Sequence, residues 1–160
     1  YNIFSLISIY NDFKLFFKHK FNKIKEFIDS KKLSDILSIH GPVSGKVKSD
    51  VLLKADLFFL TSRFEGHPMG LIEALSYGLP AFVTSGSNML NEIKDTNSGW
   101  TIEPNTKDEI AKTLQIVIEN SKELSSKGEN ARRLSLKFDW TKLAEILHCK
   151  LWSIVYATNN

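Results

Sequence analysis

The spacing of apolar positions changes several times along the chain, and each change predicts a new element. Residues 3–10 are largely apolar and predict a first strand. From Phe13 the apolar side chains recur every three or four residues, at Phe13, Phe16, Phe17, Phe21, Ile24, Phe27 and Ile28. That rhythm predicts an amphipathic helix closing near Lys32. A strand is expected at 36–40, broken by Gly41 and Pro42, and a short helix at 47–54. Asp56 leads into the run LFFL, typical of a strand covered on both faces.

After that strand Gly66 breaks the pattern, and Pro68 suits the first turn of a helix running to Tyr77. Gly78 and Pro80 end that helix in the expected order. AFVT at 81–84 and GWTIE at 99–103 predict two more strands. The remainder is helical: Thr106 caps a helix over 107–119, a second spans 122–136, and Asp139 caps a third over about 139–156. The last helix carries Trp140, Leu143, Ile146, Leu147, Leu151, Trp152, Val155 and Tyr156, a stripe wide enough for two surfaces. Its first half is expected to pack on the sheet. Trp152 or Tyr156 is expected to be left exposed, as a patch awaiting a partner.

Strands alternating with helices predict an α/β domain with a Rossmann-like parallel sheet and helices on both faces. Ligands of such sheets bind at the carboxyl ends of the strands, beside helix N-termini. The loop from Ser62 to Met69 is therefore the place for chemistry. No internal repeat or flexible linker divides the chain, so residues 1–160 read as a single domain.

Composition narrows the class. With 42% hydrophobic and 24% charged residues, the chain is ordinary globular material able to bury a core without disulfides. A net charge of +3, with no basic run forming a stripe, argues against nucleic acid as a partner. Cys149 stands alone, which excludes a disulfide framework and a cysteine metal site and fits a reducing, cytoplasmic location. The four histidines lack ligand spacing, so no metal is expected. No apolar stretch approaches the roughly 20 residues of a membrane span. The first ten residues lack the basic leader and cleavage site of a signal peptide. Tyr at position 1 suggests part of a longer protein.

One helix opens a membrane alternative. Lys14, Lys18, Lys20, Lys23, Lys25, Lys31 and Lys32 outweigh Asp12, Glu26 and Asp29 on the polar side of the helix at 13–32. Such a helix can lie on an anionic membrane, here the inner face. An ordinary crossover helix whose phenylalanines pack on the sheet is the favoured reading.

The loop after LFFL carries the chemistry. Glu65 lies in the strand-to-helix loop and Glu73 about a turn and a half into the helix. Between them the backbone N–H groups of Met69, Gly70 and Leu71 are expected unpaired at the helix start, a site for phosphate. Gly66 and Gly70 permit close approach of a ligand. Sugar hydroxyls, a diphosphate and a ribose need those three features in sequence. Each residue also has a plainer reading. Glu73 opposes the stripe of Leu71, Ile72, Ala74 and Leu75, as a solvated surface glutamate would, and Glu65 suits a carboxylate at a helix start. His67 suits sugar contact or loop packing equally, and Arg63 reads as a solvated loop charge.

The stretch ADLFFLTSRFEGHPMGLIEALSYGLPAFVTS resembles the donor segment of the family-four retaining glycosyltransferases of GT-B fold, the glycosyl transferases group 1. Ser62, Glu65, Gly66, Pro68, Glu73, Ala74, Gly78 and Pro80 match that pattern in register, and weaker similarity runs from about residue 36 to 150. The resemblance implies that Glu65 contacts the transferred sugar and helps stabilise the transition state, while Glu73 takes the ribose hydroxyls. It implies that Met69, Gly70 and Leu71 hold the diphosphate through backbone N–H groups; Gly66 and His67 of the same loop are counted among the candidate donor-binding residues. The loop containing Pro42, Val43 and Ser44 would lie beside the base. Such enzymes work without a bound metal, and the nucleotide-diphosphate sugar, of which UDP is one carrier, is substrate rather than cofactor.

Two departures stand out. The family's Arg and Lys for the diphosphate lie in a first βα unit with no match here, so the chain is expected to begin after it. Relatives often have a Gly-Gly pair where this chain has TSGSNMLNE. The resemblance implies an acceptor-binding N-terminal domain, which is expected to lie outside these 160 residues. The expected function is the donor half of a transferase moving a sugar to a saccharide or lipid acceptor in cell-surface polysaccharide or glycoconjugate synthesis, inactive without its acceptor domain. The alternative is a non-catalytic nucleotide-binding or membrane and partner assembly module.

Overall fold

The structure, a computed structural model, describes residues 14–157, with side chains from 22 to 156. The expected strand at 3–10 lies outside the described residues. At the centre is a parallel sheet of three strands, β1 (Phe58–Leu60), β2 (Ala81–Thr84) and β3 (Gly99–Ile102), in the order β1-β2-β3. Phe58 pairs with Ala81, and Ala81 with Gly99, so all three strands end at one edge. The helices are α1 (Lys14–Ser30), α2 (Gly45–Lys54), α3 (Met69–Ser76), α4 (Leu90–Asp95), α5 (Lys107–Glu119), α6 (Leu124–Ser135) and α7 (Trp140–Ala157).

Side chains alternate across the sheet and feed two cores. Phe58, Ala81 and Val83 point to one face, where Leu71, Ala74 and Leu75 of α3, Ile93 of α4, and Ala131 and Leu134 of α6 close over them. Leu57, Phe82 and Ile102 point to the other, against Val117, Ile110 and Leu114 of α5. Phe59 stacks on Phe82 with ring centroids 4.2 Å apart. A period-2 strand buried on both sides needs apolar residues at every position, which is why LFFL and AFVT read as continuous runs. Burying each Leu of α3 contributes about 1.5–3 kcal/mol.

The expected stops of α3 are present. Gly78 takes φ +78°, its N–H bonds Leu75 O at 2.9 Å, and Leu79 N–H bonds Ala74 O at 3.1 Å. This left-handed turn sends the chain back into β2. Thr106 caps α5 through Glu109 N–H. Asp139 caps α7 through the N–H groups of Thr141 and Lys142, at 2.9 and 3.2 Å. Those bonds, first from Lys142 and then from Thr141, hold the exposed Asp139 carboxyl below its ordinary range.

Three expectations need correction. Residues 36–40 form no strand: the N–H groups of Ile36 and Leu37 bond back to Leu33 O at 3.0 and 2.8 Å, so a local turn takes donors that a ladder would need. The described side chains of α1 do not all pack inward. Ile28 is buried, whereas Ile24 and Phe27 are more than half exposed. Nor does the first half of α7 cover the sheet. Phe138 packs on the α3–α6 core, Asp139 adopts extended backbone, and Trp140 beyond it is 74% exposed. Both sheet faces are already covered by the time the chain reaches α7. As expected, Trp152 and Tyr156 are exposed; their rings stack at 4.8 Å. One helix passed unread: α4, with the 3₁₀ turn Ser85–Ser87 before it.

Candidate donor-binding site

The loops that follow β1, β2 and β3 meet at the carboxyl edge of the sheet, and their hydrogen bonds define the site. Ser62, just after β1, is the hub. Its carbonyl accepts from Thr84 Oγ1 at 2.7 Å and from Asn105 Nδ2 at 3.3 Å. Its hydroxyl donates to Glu65 Oε1 at 2.5 Å, which orients the carboxylate. Asn88, in left-handed backbone at φ 57°, donates through Nδ2 to Gly66 O at 2.6 Å. Gly86 lies so close to the Ser62 and Arg63 backbone that a Cβ there would collide with it. The β1 loop is thus tied to the β2 loop at both ends.

Between these loops opens a cleft of about 420 Å³ lined by Arg63, Phe64, Glu65, Gly66, Ser85, Gly86 and Asn88. Gly66 leaves open space where a Cβ would be. Arg63 therefore sits at the cleft with Glu65 rather than on an unrelated surface. Phe64 is 84% exposed at the same opening.

The other sequence-derived candidates do not line this cleft. Glu73, on the outward side of α3, meets Lys48 of α2: Nζ is 2.7 Å from Oε1 and 2.9 Å from Oε2. His67 is exposed, with its ring tilted toward Phe138 at 6.2 Å between centroids, and is not in the cleft lining. Pro42, Val43 and Ser44 form the approach to α2, one turn before Lys48, and do not line the cleft. The α3 start differs from the expected row of unpaired donors. Met69 N–H bonds His67 O at 2.9 Å, and Leu71 N–H bonds Pro68 O at 2.9 Å. The Pro68 carbonyl also accepts from Ile72, so it closes a tight first turn over Leu71. Among the described residues Gly70 N–H is the amide of this turn that is left without a backbone acceptor.

Comparison with known proteins decides the family. The model of the glycosyl transferases group 1 matches residues 12–134. The chain belongs to that family. It is 31% identical over 129 residues to mannosylfructose-phosphate synthase of Agrobacterium fabrum, covering 79% of this chain and 28% of that protein. It is 30% identical over 108 residues to sucrose synthase of Nitrosomonas europaea, covering 64% of this chain and 14% of that protein. Among solved structures, WaaG, a glycosyltransferase involved in lipopolysaccharide biosynthesis, superposes with TM-score 0.63 at 23% identity, covering 71% of this chain and 30% of that one. Sucrose-phosphate synthase of Thermosynechococcus elongatus superposes with TM-score 0.71 at 17% identity, covering 86% of this chain and 34% of that one. These likenesses show the fold, a part of the GT-B architecture. The chain spans less than a third of the length of each of these two sequence relatives.

Within this glycosyltransferase group 1 chain, sequence reasoning missed Lys48, Thr84, Gly86, Asn88 and Asn105. Lys48 lies 25 residues before Glu73, on a helix of its own, and no local pattern links the two. Asn88 offered a faint signal as an Asn suited to left-handed backbone in a Ser/Gly/Asn turn. Among the described residues, no three of His, Cys, Asp and Glu cluster as a metal site, and no helix is long and apolar enough to cross a membrane.

Proposed function

We propose that this chain binds a nucleotide-diphosphate sugar at the carboxyl edge of its sheet and serves as the donor half of a retaining glycosyltransferase. The observation that carries the reading is the Glu65 cleft, with an oriented carboxylate at its wall and the N-terminus of α3 following directly in the chain. Glu65, held by Ser62, accepts hydrogen bonds from the sugar hydroxyls and stabilises positive charge developing at the anomeric carbon. The α3 start takes the diphosphate: Gly70 N–H donates, and the helix dipole and Arg63 add positive potential. Glu73 accepts the ribose hydroxyls, and the Pro42–Ser44 segment ahead of α2 borders the base. Charge on the leaving diphosphate is met by amides and basic side chains, without a metal. The relatives named as synthases of sugar phosphates and sucrose support a saccharide as acceptor. An acceptor-binding domain outside this chain presents the attacking hydroxyl.

Thermal shift with UDP, GDP and ADP tests the reading. At a hundredfold excess over Kd the bound nucleotide should stabilise the protein by about 2.7 kcal/mol. No shift with any of the three at millimolar concentration overturns it. The chain alone should transfer no sugar, since orientation of the acceptor supplies much of such a rate.

A second reading, contact with an anionic membrane, is favoured by the exposure of Ile24 and Phe27 among the exposed Lys23 and Lys25 on α1. Salt-sensitive cosedimentation with anionic but not zwitterionic vesicles is its expected signature.

A further inference from the structure

Lys48 is absent from every feature that linked Glu65 to Glu73, yet it is the residue that grips Glu73. Its ammonium lies within 2.7 and 2.9 Å of the two carboxylate oxygens, with the side chains only 25% and 33% exposed. The end of α3 is clipped to α2 a second time, where Tyr77, the residue just past α3, donates its hydroxyl to Ser49 Oγ at 3.0 Å. An ionised carboxylate has about four acceptor positions. Lys48 uses one on each oxygen and leaves the others for incoming hydroxyls.

We propose that Lys48 is a positioning residue for nucleotide binding: it holds the Glu73 carboxylate in the orientation that receives the ribose diol and offsets its charge beside the diphosphate. The inference rests on the donor-site reading above. Two physical effects support it. A glutamate side chain free to rotate loses rotamer entropy when it binds, and an ion pair fixed beforehand removes that cost. A bare carboxylate close to a diphosphate repels it, and an ammonium in contact with both oxygens screens that repulsion.

The test measures Kd for whichever of UDP, GDP and ADP binds, and for its 2′,3′-dideoxy analogue. With K48M the natural nucleotide should bind about tenfold weaker, as for loss of support to one charged hydrogen bond. The dideoxy analogue, with no diol to place, should lose clearly less affinity in K48M than the natural nucleotide, because only the screening of Glu73 from the diphosphate is then lost. K48R keeps a cation on Glu73 and should restore most of the affinity. Y77F breaks the other clip between α2 and α3 without touching Glu73, and should leave both affinities unchanged. Equal losses for the two nucleotides, or equal losses in K48M and Y77F, overturn the proposal: Lys48 then contacts phosphate or only braces the helices. If E73Q weakens the natural nucleotide and K48M does not, the positioning role fails alone. If E73Q has no effect either, the ribose assignment fails with it.

Discussion

Helices α3 and α7 are both rich in apolar residues, and they meet opposite fates. In α3, eight residues long, Leu71, Ile72, Ala74 and Leu75 are all buried against β1, β2 and α6. In α7, eighteen residues long, Trp140, Leu143, Ile146, Leu147, Leu151, Ile154 and Val155 are each at least 40% exposed. An apolar stripe shows that a face exists; whether it is buried depends on what the fold brings to it. Helix α3 follows a strand directly and is folded back onto the sheet by the crossover. Helix α7 comes last, after both sheet faces are taken.

The sharpest way to break this contrast is to truncate one leucine in each helix. Leu75→Ala, at a position with no exposure, should lower unfolding stability by about 2–5 kcal/mol in denaturant titration. A loss below about 1 kcal/mol would show that the α3 face is not the core it resembles. Next in size is the outward side of the same helix. Glu73→Ala should weaken nucleoside-diphosphate binding by about 1–3 kcal/mol in calorimetry. Its effect on folding should be small, since the Lys48–Glu73 pair is partly exposed and such pairs contribute about 0–1 kcal/mol. The reverse pattern, lost stability with intact binding, would make the pair a structural clip.

On α7 the expected effects shrink. Leu147→Ala should change unfolding stability by no more than about 0.5 kcal/mol, because the side chain is 58% exposed already. A larger loss would reveal that something covers the stripe in solution. The smallest effect is local and depends on pH. The folded Asp139 carboxyl titrates below its ordinary range, so its contribution is present above the unfolded value and is lost as pH falls through the folded one. The protection of the Thr141 and Lys142 amides, measured against their intrinsic exchange rate at each pH, should fall as the solution is acidified into and below the usual carboxylate range. In Asp139→Asn that dependence should disappear.

The sequence alone determined the elements that local chemistry dictates. The apolar runs at 57–60 and 81–84 are legible as strands because each faces a core on both sides. The ends of α3 and the starts of α5 and α7 are legible because Gly78, Thr106 and Asp139 act on backbone groups within four residues. Glu65 and Glu73 were legible as candidates because the motif holding them is contiguous. Only the tertiary structure decided what depends on distant chain segments. It spent the N–H groups of Ile36 and Leu37 on a turn, closed the first turn of α3 through Pro68, and turned His67 toward Phe138. It tied Ser62 to Thr84 and Asn105, and Gly66 to Asn88, across 22 to 43 residues. It placed Lys48 on Glu73 and left α7 uncovered. Periodicity and capping act within one or two helical turns, whereas a contact between elements is set by how the crossovers pack, which no short stretch of sequence encodes.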